Sequence, residues 1–361
     1  AFTQCPYRKR RMQNSRDLEE NEIEAWVLEQ HFPKYRTKQI FQWVQKKDVE
    51  DFQAMENLPK DLKEKLRNDF TLTLPKLYRR YVSQIDGTEK FLFELSDRHR
   101  IESVFMEYRH GNTACISTQV GCKMGCAFCA STLSGLARNL SSGEMLGQIV
   151  AMEKITSKKI SNVVLMGSGE PLDNYDEVLR FIRLISGKTG RNLSQRNITL
   201  STCGIVPKIR ELAEEELGIT LALSLHASTD EKRKKIMPIA YRYALSDVMD
   251  AVRFYFQKTG RRVSFEYALV LGMNDGEEDV FALTKLLKKK GVHFPAHVNL
   301  IPVNPIKERD FTAPDRKKIQ HFKEGLEKNG IACTIRREMG SDISGACGQL
   351  RRDAELEERE D

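Results

Sequence analysis

From residue 114 onward the chain alternates short β-branched runs with amphipathic helical stretches, and this alternation narrows the fold more than any other feature. Candidate strands fall at 114–117, 163–166, 198–201, 220–224, 263–268 and 298–301. Apolar residues at helical spacing fill the intervals at 144–156, 175–186, 245–258, 277–289 and 314–328. Repeated strand-then-helix units predict an α/β fold, a mostly parallel sheet with helices packed outside it. Six units are too few to close an eight-stranded barrel, so a partial, TIM-like (β/α)6 barrel is expected, with its chemistry where the strands end. Those ends are polar and glycine-containing: Met166-Gly167-Ser168-Gly169-Glu170-Pro171, Ser201-Thr202-Cys203-Gly204, Ser224-Leu225-His226 and Asn299-Leu300-Ile301-Pro302-Val303-Asn304.

Just after the first of these strands lies Gly121-Cys122-Lys123-Met124-Gly125-Cys126-Ala127-Phe128-Cys129, a C-x3-C-x2-C triplet. Three thiolates on so tight a loop can hold three corners of a [4Fe-4S] cube and leave the fourth iron open to a substrate. The competing reading is structural zinc with a fourth ligand from elsewhere. A second C-x2-C pair, the usual partner in such zinc sites, does not occur in the sequence.

The remainder of the composition bounds location and partners. The chain has 361 residues, 40% of them hydrophobic, and no apolar run that reads as a membrane span or secretory signal. Eight cysteines in a chain of this length fit a reducing compartment rather than a disulfide framework, so the cytoplasm is expected, with no membrane partner. The net charge of +7 is gathered into clusters: Lys232-Arg233-Lys234-Lys235, Lys288-Lys289-Lys290, Arg261-Arg262 and Arg336-Arg337. Such clusters can neutralise phosphates, although a charged run taken alone is more often a solvated helix end.

Before residue 114 the organisation differs. Residues 1–15 carry Arg8, Lys9, Arg10 and Arg11 and, with Arg16, read as a basic flexible arm. Apolar residues Ile23, Trp26, Val27 and Ile40, Phe41, Val44 recur at helical steps across 16–76, a small helical accessory domain punctuated by Pro59 and Pro75. Its Arg36, Lys38, Lys46 and Lys47 are candidates for RNA contact. Strand-like runs in 77–110, with Asp86-Gly87 as a turn, predict a linking β-hairpin. A barrel over 111–340, a cysteine-bearing loop over 341–350 and a charged tail over 351–361 complete the division.

The triplet with an aromatic before its last cysteine resembles the radical S-adenosylmethionine (SAM) superfamily. The chain is more closely similar to that superfamily's RNA adenine methyltransferase family, the RlmN/Cfr enzymes. The similarity is carried by 121–129, Arg138-Asn139-Leu140, 166–171, 201–204, Ser224-Leu225-His226-Ala227, Met237-Pro238-Ile239, 299–304 and Ala346-Cys347-Gly348-Gln349-Leu350.

The resemblance implies a [4Fe-4S] cluster on Cys122, Cys126 and Cys129, two SAM molecules per turnover, and a SAM pocket of Gly169, Glu170, Ser201, Ser224, Leu225, His226 and Asn304. It also implies that Cys347 is methylated first, that Glu102 accepts the adenine ring proton, and that Cys115 resolves the protein–RNA thioether by a disulfide with Cys347. From residue type alone both cysteines would pass for buried structural thiols and Glu102 for a solvated strand residue. The implied substrates are 23S rRNA near the peptidyl-transferase centre and tRNA next to the anticodon. A monomer supplied with electrons by a donor such as flavodoxin or ferredoxin is expected.

Gly169-Glu170-Pro171 and His226-Ala227 look more like the enzymes that methylate adenine C2 than those that methylate C8. Three positions depart from the family pattern: Ser168 stands where methionine is common, Cys203 where serine is frequent, and Gly345 where alanine is usual. C8 methylation is the alternative within the family. A non-catalytic, zinc-stapled RNA-binding protein is the alternative outside it.

Overall fold

The structure, a computed structural model, describes residues 12–288, 295–304, 308–337 and 339–343. Cys5, Gly345, Cys347, Lys289, Lys290, arm residues 1–11 and the tail 351–361 lie outside the described residues.

The N-terminal part comprises β1 (Gln13–Asn14), α1 (Glu20–Glu29), α2 (Tyr35–Gln45), α3 (Lys60–Asp69) and β2 (Phe70–Thr71). Its own apolar core gathers Ile23, Val27, Ile40, Phe41 and Val44, whose helical spacing marked them in the sequence, together with Met55, Leu62 and Leu66. The arm is shorter than expected, because Gln13 and Asn14 pair with Phe70 and Thr71. Arg16 is fully buried and donates to the carbonyls of Val44 and Val49, both at 2.8 Å.

The chain continues through β3 (Lys76–Val82), β4 (Glu89–Glu94), β5 (Arg100–Tyr108), β6 (Gly111–Cys115), β7 (Gln119–Gly121), β8 (Leu136–Asn139), α4 (Ser142–Thr156), β9 (Asn162–Leu165) and α5 (Tyr175–Ser186). It then runs through β10 (Ile198–Thr202), α6 (Val206–Glu214), β11 (Thr220–Ser224), α7 (Asp230–Ile236), α8 (Leu245–Thr259), β12 (Val263–Leu269), α9 (Glu277–Leu287), β13 (Ala296–Pro302), α10 (Arg316–Lys328) and β14 (Ala332–Ile335). Local signals explain several boundaries. At α4 the Ser141 hydroxyl accepts the Glu144 amide while the Glu144 carboxylate accepts the Ser141 amide, a reciprocal cap, and α8 stops at Gly260 with φ +63°.

One ten-stranded sheet has the order β14-β13-β12-β11-β10-β9-β6-β5-β4-β3. Pairing is parallel from β6 through β14 and antiparallel from β3 to β6. Two expectations change here. The 77–110 segment is not a linking hairpin but three strands of the main sheet, since Asp86-Gly87 joins β3 to β4 and a second turn, closed by Leu95 N–H to His99 C=O at 2.8 Å, joins β4 to β5. The largely exposed, arginine-bearing β3 hid its alternation, as edge strands do. A seventh parallel strand, β14, adds to the six read from the sequence; only Cys333 among its four residues is buried.

Register gives the sheet two unlike faces. Ala114, Ile116, Val163, Leu165, Ile198, Leu200, Leu221, Leu223, Phe265 and Leu300 are buried in one apolar core with the helices. The alternate positions are mostly polar or small: Cys115 on β6 and, beyond Val164 on β9, Ser201, Ser224, Glu266 and Asn299 on β10, β11, β12 and β13.

That polar face is concave. Laid flat, β3 and β14 would be about 43 Å apart, nine spacings of about 4.8 Å. Yet Gly340, five residues past the end of β14, donates its amide to Asp86 at 2.9 Å, and Asp342 accepts from Ser83 Oγ at 2.6 Å. Five residues reach at most about 17 Å, so the sheet must curl until its ends face each other.

The N-terminal helices dock on the outside of this sheet. Arg191 pairs with Asp48 at 2.6 Å and with Glu153 at 2.8 Å, and Asp17 accepts the Gly143 amide at 2.5 Å, at the start of α4.

Candidate active site

The cysteine triplet is carried between β7 and β8, a two-stranded antiparallel ribbon. Cys122 N–H donates to Gly135 C=O at 3.0 Å, Cys129 N–H to Cys126 C=O at 3.1 Å, and the Thr132 hydroxyl to Cys129 C=O at 2.8 Å. Gly125 has φ +71°, which an L side chain adopts only under strain, and a Cβ there would stand 3.3 Å from Pro238. Cys122 is buried, while Cys126 and Cys129 are half-buried. Ala127 N–H donates to Ile236 C=O at 2.8 Å, tying the loop to the end of α7.

Next to this loop stands the end of β9. Gly169 has φ +109°, and a Cβ on it would lie 2.7 Å from Gln119 Cβ and 2.8 Å from Gln119 N, so the backbone passes where only glycine fits. Glu170 follows, buried, with Oε2 accepting the Cys203 amide at 2.7 Å and Oε1 the Leu172 amide at 3.1 Å. Burial pushes its carboxyl up, opposed by those donors. Gln119 clamps the turn by accepting the Glu170 amide at 2.9 Å and donating to Asp173 at 2.9 Å. Ser168 shares a hydrogen bond with Ser131 at 3.1 Å, which ties β9's end to the helical turn after Cys129.

Neighbouring strands add the other polar groups. Ser201 and Ser224 hydroxyls are 3.3 Å apart on the concave face. Leu225 and His226 both donate their amides to Glu266 C=O, at 3.0 and 3.1 Å, and His226 is held at φ 55°. The His226 ring meets Phe128 edge-on at 4.8 Å, next to Cys129, and its Nδ1 accepts the Ala268 amide at 2.9 Å. That bond leaves the proton on Nε2. Burial, with the nearby Arg233 charge, pulls its pKa down to about 3.

Glu102 and Cys115 come together across β5 and β6. Cys115 pairs with Val104, so Glu102, two residues earlier in an antiparallel partner, is its diagonal neighbour on the same face. Both are buried. The Ser117 hydroxyl donates to Glu102 C=O at 2.7 Å and accepts the Ser168 amide at 2.9 Å, linking this pair to the glycine-rich turn. Asn304 is exposed just beyond β13, and Cys347 lies outside the described residues.

The chain matches the family model of the Radical SAM superfamily over residues 116–284 and that of the Ribosomal RNA large subunit methyltransferase N-terminal domain over residues 13–72. It is 54% identical over 341 residues to a probable dual-specificity RNA methyltransferase RlmN of Clostridium novyi (strain NT), covering 94% of this chain and 98% of that one. The chain belongs to the RlmN family. A second RlmN relative, from Lachnoclostridium phytofermentans, is 56% identical over 318 residues, 88% of each chain. The crystal structure of a radical SAM methyltransferase from Sphaerobacter thermophilus superposes with a TM-score of 0.87 at 40% identity, covering 93% of this chain and 98% of that one.

Membership in this family implies a [4Fe-4S] cluster and SAM, and the donor set fits. Burial, with the charge of Cys129 adding to it, pushes the Cys122 thiol up to about 12, and burial with the neighbouring thiols pushes Cys126 up as well. Two such thiols ionise together only around a cationic centre, which an iron cluster provides. Met124, Phe128, Ile236, Met237 and Ile239 form an apolar shell beside the loop, the surroundings such a cluster needs. The zinc-stapled alternative gives way to this assignment.

Four groups at the site escaped the sequence reading: Gln119, Arg233, Glu266 and Arg336. Arg233 lay inside the basic run 232–235 and looked like solvated charge, yet it is fully buried. Lys232 of the same run pairs with Asp279 at 2.7 Å. Glu266 is buried beneath Ser264 (2.9 Å) and Asn299 (3.0 Å), with the Arg336 guanidinium 4.0 Å away. In the helical domain, Arg36 donates to Asn57 C=O at 2.8 Å, Lys47 stands 3.5 Å above the Trp43 ring, and Lys38 and Lys46 are exposed.

Proposed function

We propose that the chain methylates C2 of an adenosine in 23S rRNA, near the peptidyl-transferase centre, and of the adenosine next to the anticodon in tRNA. The observation that carries this reading is the 54% identity to RlmN proteins over nearly the whole chain. The edge contact of His226 with Phe128 and the closeness of Glu170 to Cys122 and Cys126 support it.

The cluster and SAM, when bound, supply the one-electron cleavage that an aromatic C–H requires, since such a carbon does not react with an electrophilic methyl group. Cys122, Cys126 and Cys129 would hold the cluster. Glu170 offers a buried carboxylate to the SAM ammonium, and Gly169 lets the backbone approach it. Ser201, Ser224 and Asn304 offer hydroxyl and amide groups to ribose and adenine.

Glu102 serves as the base for the adenine ring proton, and Cys115, as thiolate, attacks the sulfur of Cys347 to release RNA. Two SAM molecules are consumed per turnover, one to methylate Cys347. The concave, polar face of the curled sheet is where a flipped base would enter. A monomer in the cytoplasm, reduced by a flavodoxin or ferredoxin, completes the reading. Among the described residues no helix is long and apolar enough to cross a membrane.

The deciding experiment digests rRNA and tRNA treated with anaerobically reconstituted protein and compares the nucleosides with 2-methyl- and 8-methyladenosine standards by mass spectrometry. A 2-methyladenosine signal dependent on both SAM and Cys347 is expected. An 8-methyladenosine signal overturns the regiochemistry, and no methylated adenosine overturns the function.

A further inference from the structure

α7 is seven residues long and strongly basic, and three of its four cations point outward. Lys232 meets Asp279, Lys235 lies 3.4 Å from Glu231, and Lys234 sits 5.8 Å above the Tyr241 ring. Arg233 turns the other way and has no exposed surface. Its Nη2 donates to Cys203 C=O at 2.6 Å and to Ser224 C=O at 3.3 Å, and its Nε donates to Leu225 C=O at 3.1 Å. The guanidinium therefore joins the ends of β10 and β11, the two strands that present Ser201 and Ser224.

Hydrogen bonding does not complete its environment. Nη1 is buried without a hydrogen-bond partner, and no carboxylate pairs with the guanidinium among the described residues. A guanidinium taken out of water with only carbonyl dipoles around it is costly, and an anion close by is what normally offsets that cost.

The cysteine loop lies on that side. Ile236, one helical turn from Arg233, accepts the Ala127 amide, and Cys126 packs with Cys203, Ile236 and Met237. Once ionised, Cys203 and Cys126 would act on the Arg233 charge more strongly than Asp230 does. A [4Fe-4S] core on three thiolates is a net anion and gains one further negative charge on reduction.

We propose that Arg233 is the buried counter-cation of the cluster, raising its reduction potential by favouring the reduced, more negative form while it fixes the strand ends around the SAM pocket. The inference rests on the radical SAM reading. Cluster potentials respond to nearby charge and to solvent exposure, and the charge of a cation with no exposed surface is poorly screened. Arg233 is thus a positioning and tuning residue.

The test compares full-length wild type with Arg233→Met, Arg233→Gln and Arg233→Lys after anaerobic reconstitution. Iron and sulfide are quantified, folding is checked by circular dichroism, and the midpoint is read by potentiometric titration monitored by electron paramagnetic resonance. Arg253→Met, at a buried arginine on α8 whose Nη1 meets Asp250 at 2.8 Å, is the control, with no shift expected.

In either neutral variant that takes up the cluster, the midpoint is expected to move to more negative potential, with Arg233→Lys close to wild type. Refusal of the cluster by both neutral variants while Arg233→Lys accepts it supports the same conclusion. A neutral variant that loads fully at the wild-type midpoint overturns the proposal, as does a lysine variant that behaves like the neutral ones. Failure of the wild type to hold iron instead sinks the functional reading on which the proposal rests.

Discussion

Asp86 Oδ2 accepts the Gly340 amide at 2.9 Å, a contact between the turn joining the first two strands of the ten-stranded sheet and the segment that follows its last. This carboxylate holds the curl together.

Burial by itself would push the Asp86 carboxyl up, but the amides of Gly340 and Thr88 outweigh it and hold it at about 2 against an ordinary 3.8. A depressed folded pKa means that the stabilisation is complete above the unfolded value, near pH 4, and is lost as pH falls through about 2. Hydrogen exchange at 339–343, corrected for intrinsic rates, is expected to accelerate over that window. Asp86→Ala should show the same acceleration at neutral pH; unchanged protection there removes the role assigned to this contact.

Gly169→Ala tests the close approach of β9's end to Gln119. An added Cβ would meet backbone at 2.8 Å with φ at +109°, and relief of about 1–3 kcal/mol of strain would have to come from moving the turn. SAM binding to the cluster-loaded protein, measured by anaerobic equilibrium dialysis, is expected to weaken about 10- to 100-fold. Iron content should stay unchanged, because the cysteine loop is a separate segment.

His226 is neutral in the fold, its pKa pulled down to about 3 from 6.5. Between those values the unfolded chain binds a proton that the folded one does not, so stability falls as pH drops below about 6.5. This residue contributes a slope of up to about 1.4 kcal/mol per pH unit. Urea melts from pH 8 to pH 5 should show that component, and His226→Gln should flatten it. A slope unaffected by the substitution would mean that the ring is protonated in the native state.

Cys115 and Cys347 have separable consequences. Cys347→Ala should abolish methyladenosine while leaving iron and sulfide at wild-type levels. Cys115→Ala should instead accumulate protein bound covalently to RNA, visible as a slow band on a denaturing gel, with product limited to less than one equivalent. Free product over many turnovers from the Cys115 variant would remove it from the mechanism.

Arg191 bridges Asp48 of the helical domain and Glu153 of α4. Removing the cation from between two largely buried carboxylates should cost about 3–5 kcal/mol, as breaking a buried pair leaves its partners unpaired. Arg191→Met is therefore expected to lower the urea midpoint clearly, whereas Lys258→Met, at an exposed pair with Glu214, should change it by less than about 1 kcal/mol.

Much of this molecule was legible from neighbouring residues alone. The strand–helix alternation gave the α/β class because apolar periodicity is a local property, and α5 begins at Tyr175 and ends at Ser186 where that periodicity does. The spacing of Cys122, Cys126 and Cys129 marked a candidate cluster loop because one short segment supplies all three thiols. Gly169 was visible as a glycine following a strand. What lay beyond reach depended on residues distant in the chain. Arg233 could not be distinguished from Lys232, Lys234 and Lys235 until Cys203, Ser224 and Leu225 surrounded it, and β3 and β4 read as a separate hairpin until the pairing of β4 with β5 and of β5 with β6 joined them to the main sheet. Chain order fixes local conformation through sterics and periodicity, but the curl of the sheet decides which charges are stripped of water, and desolvation is a property of the whole fold.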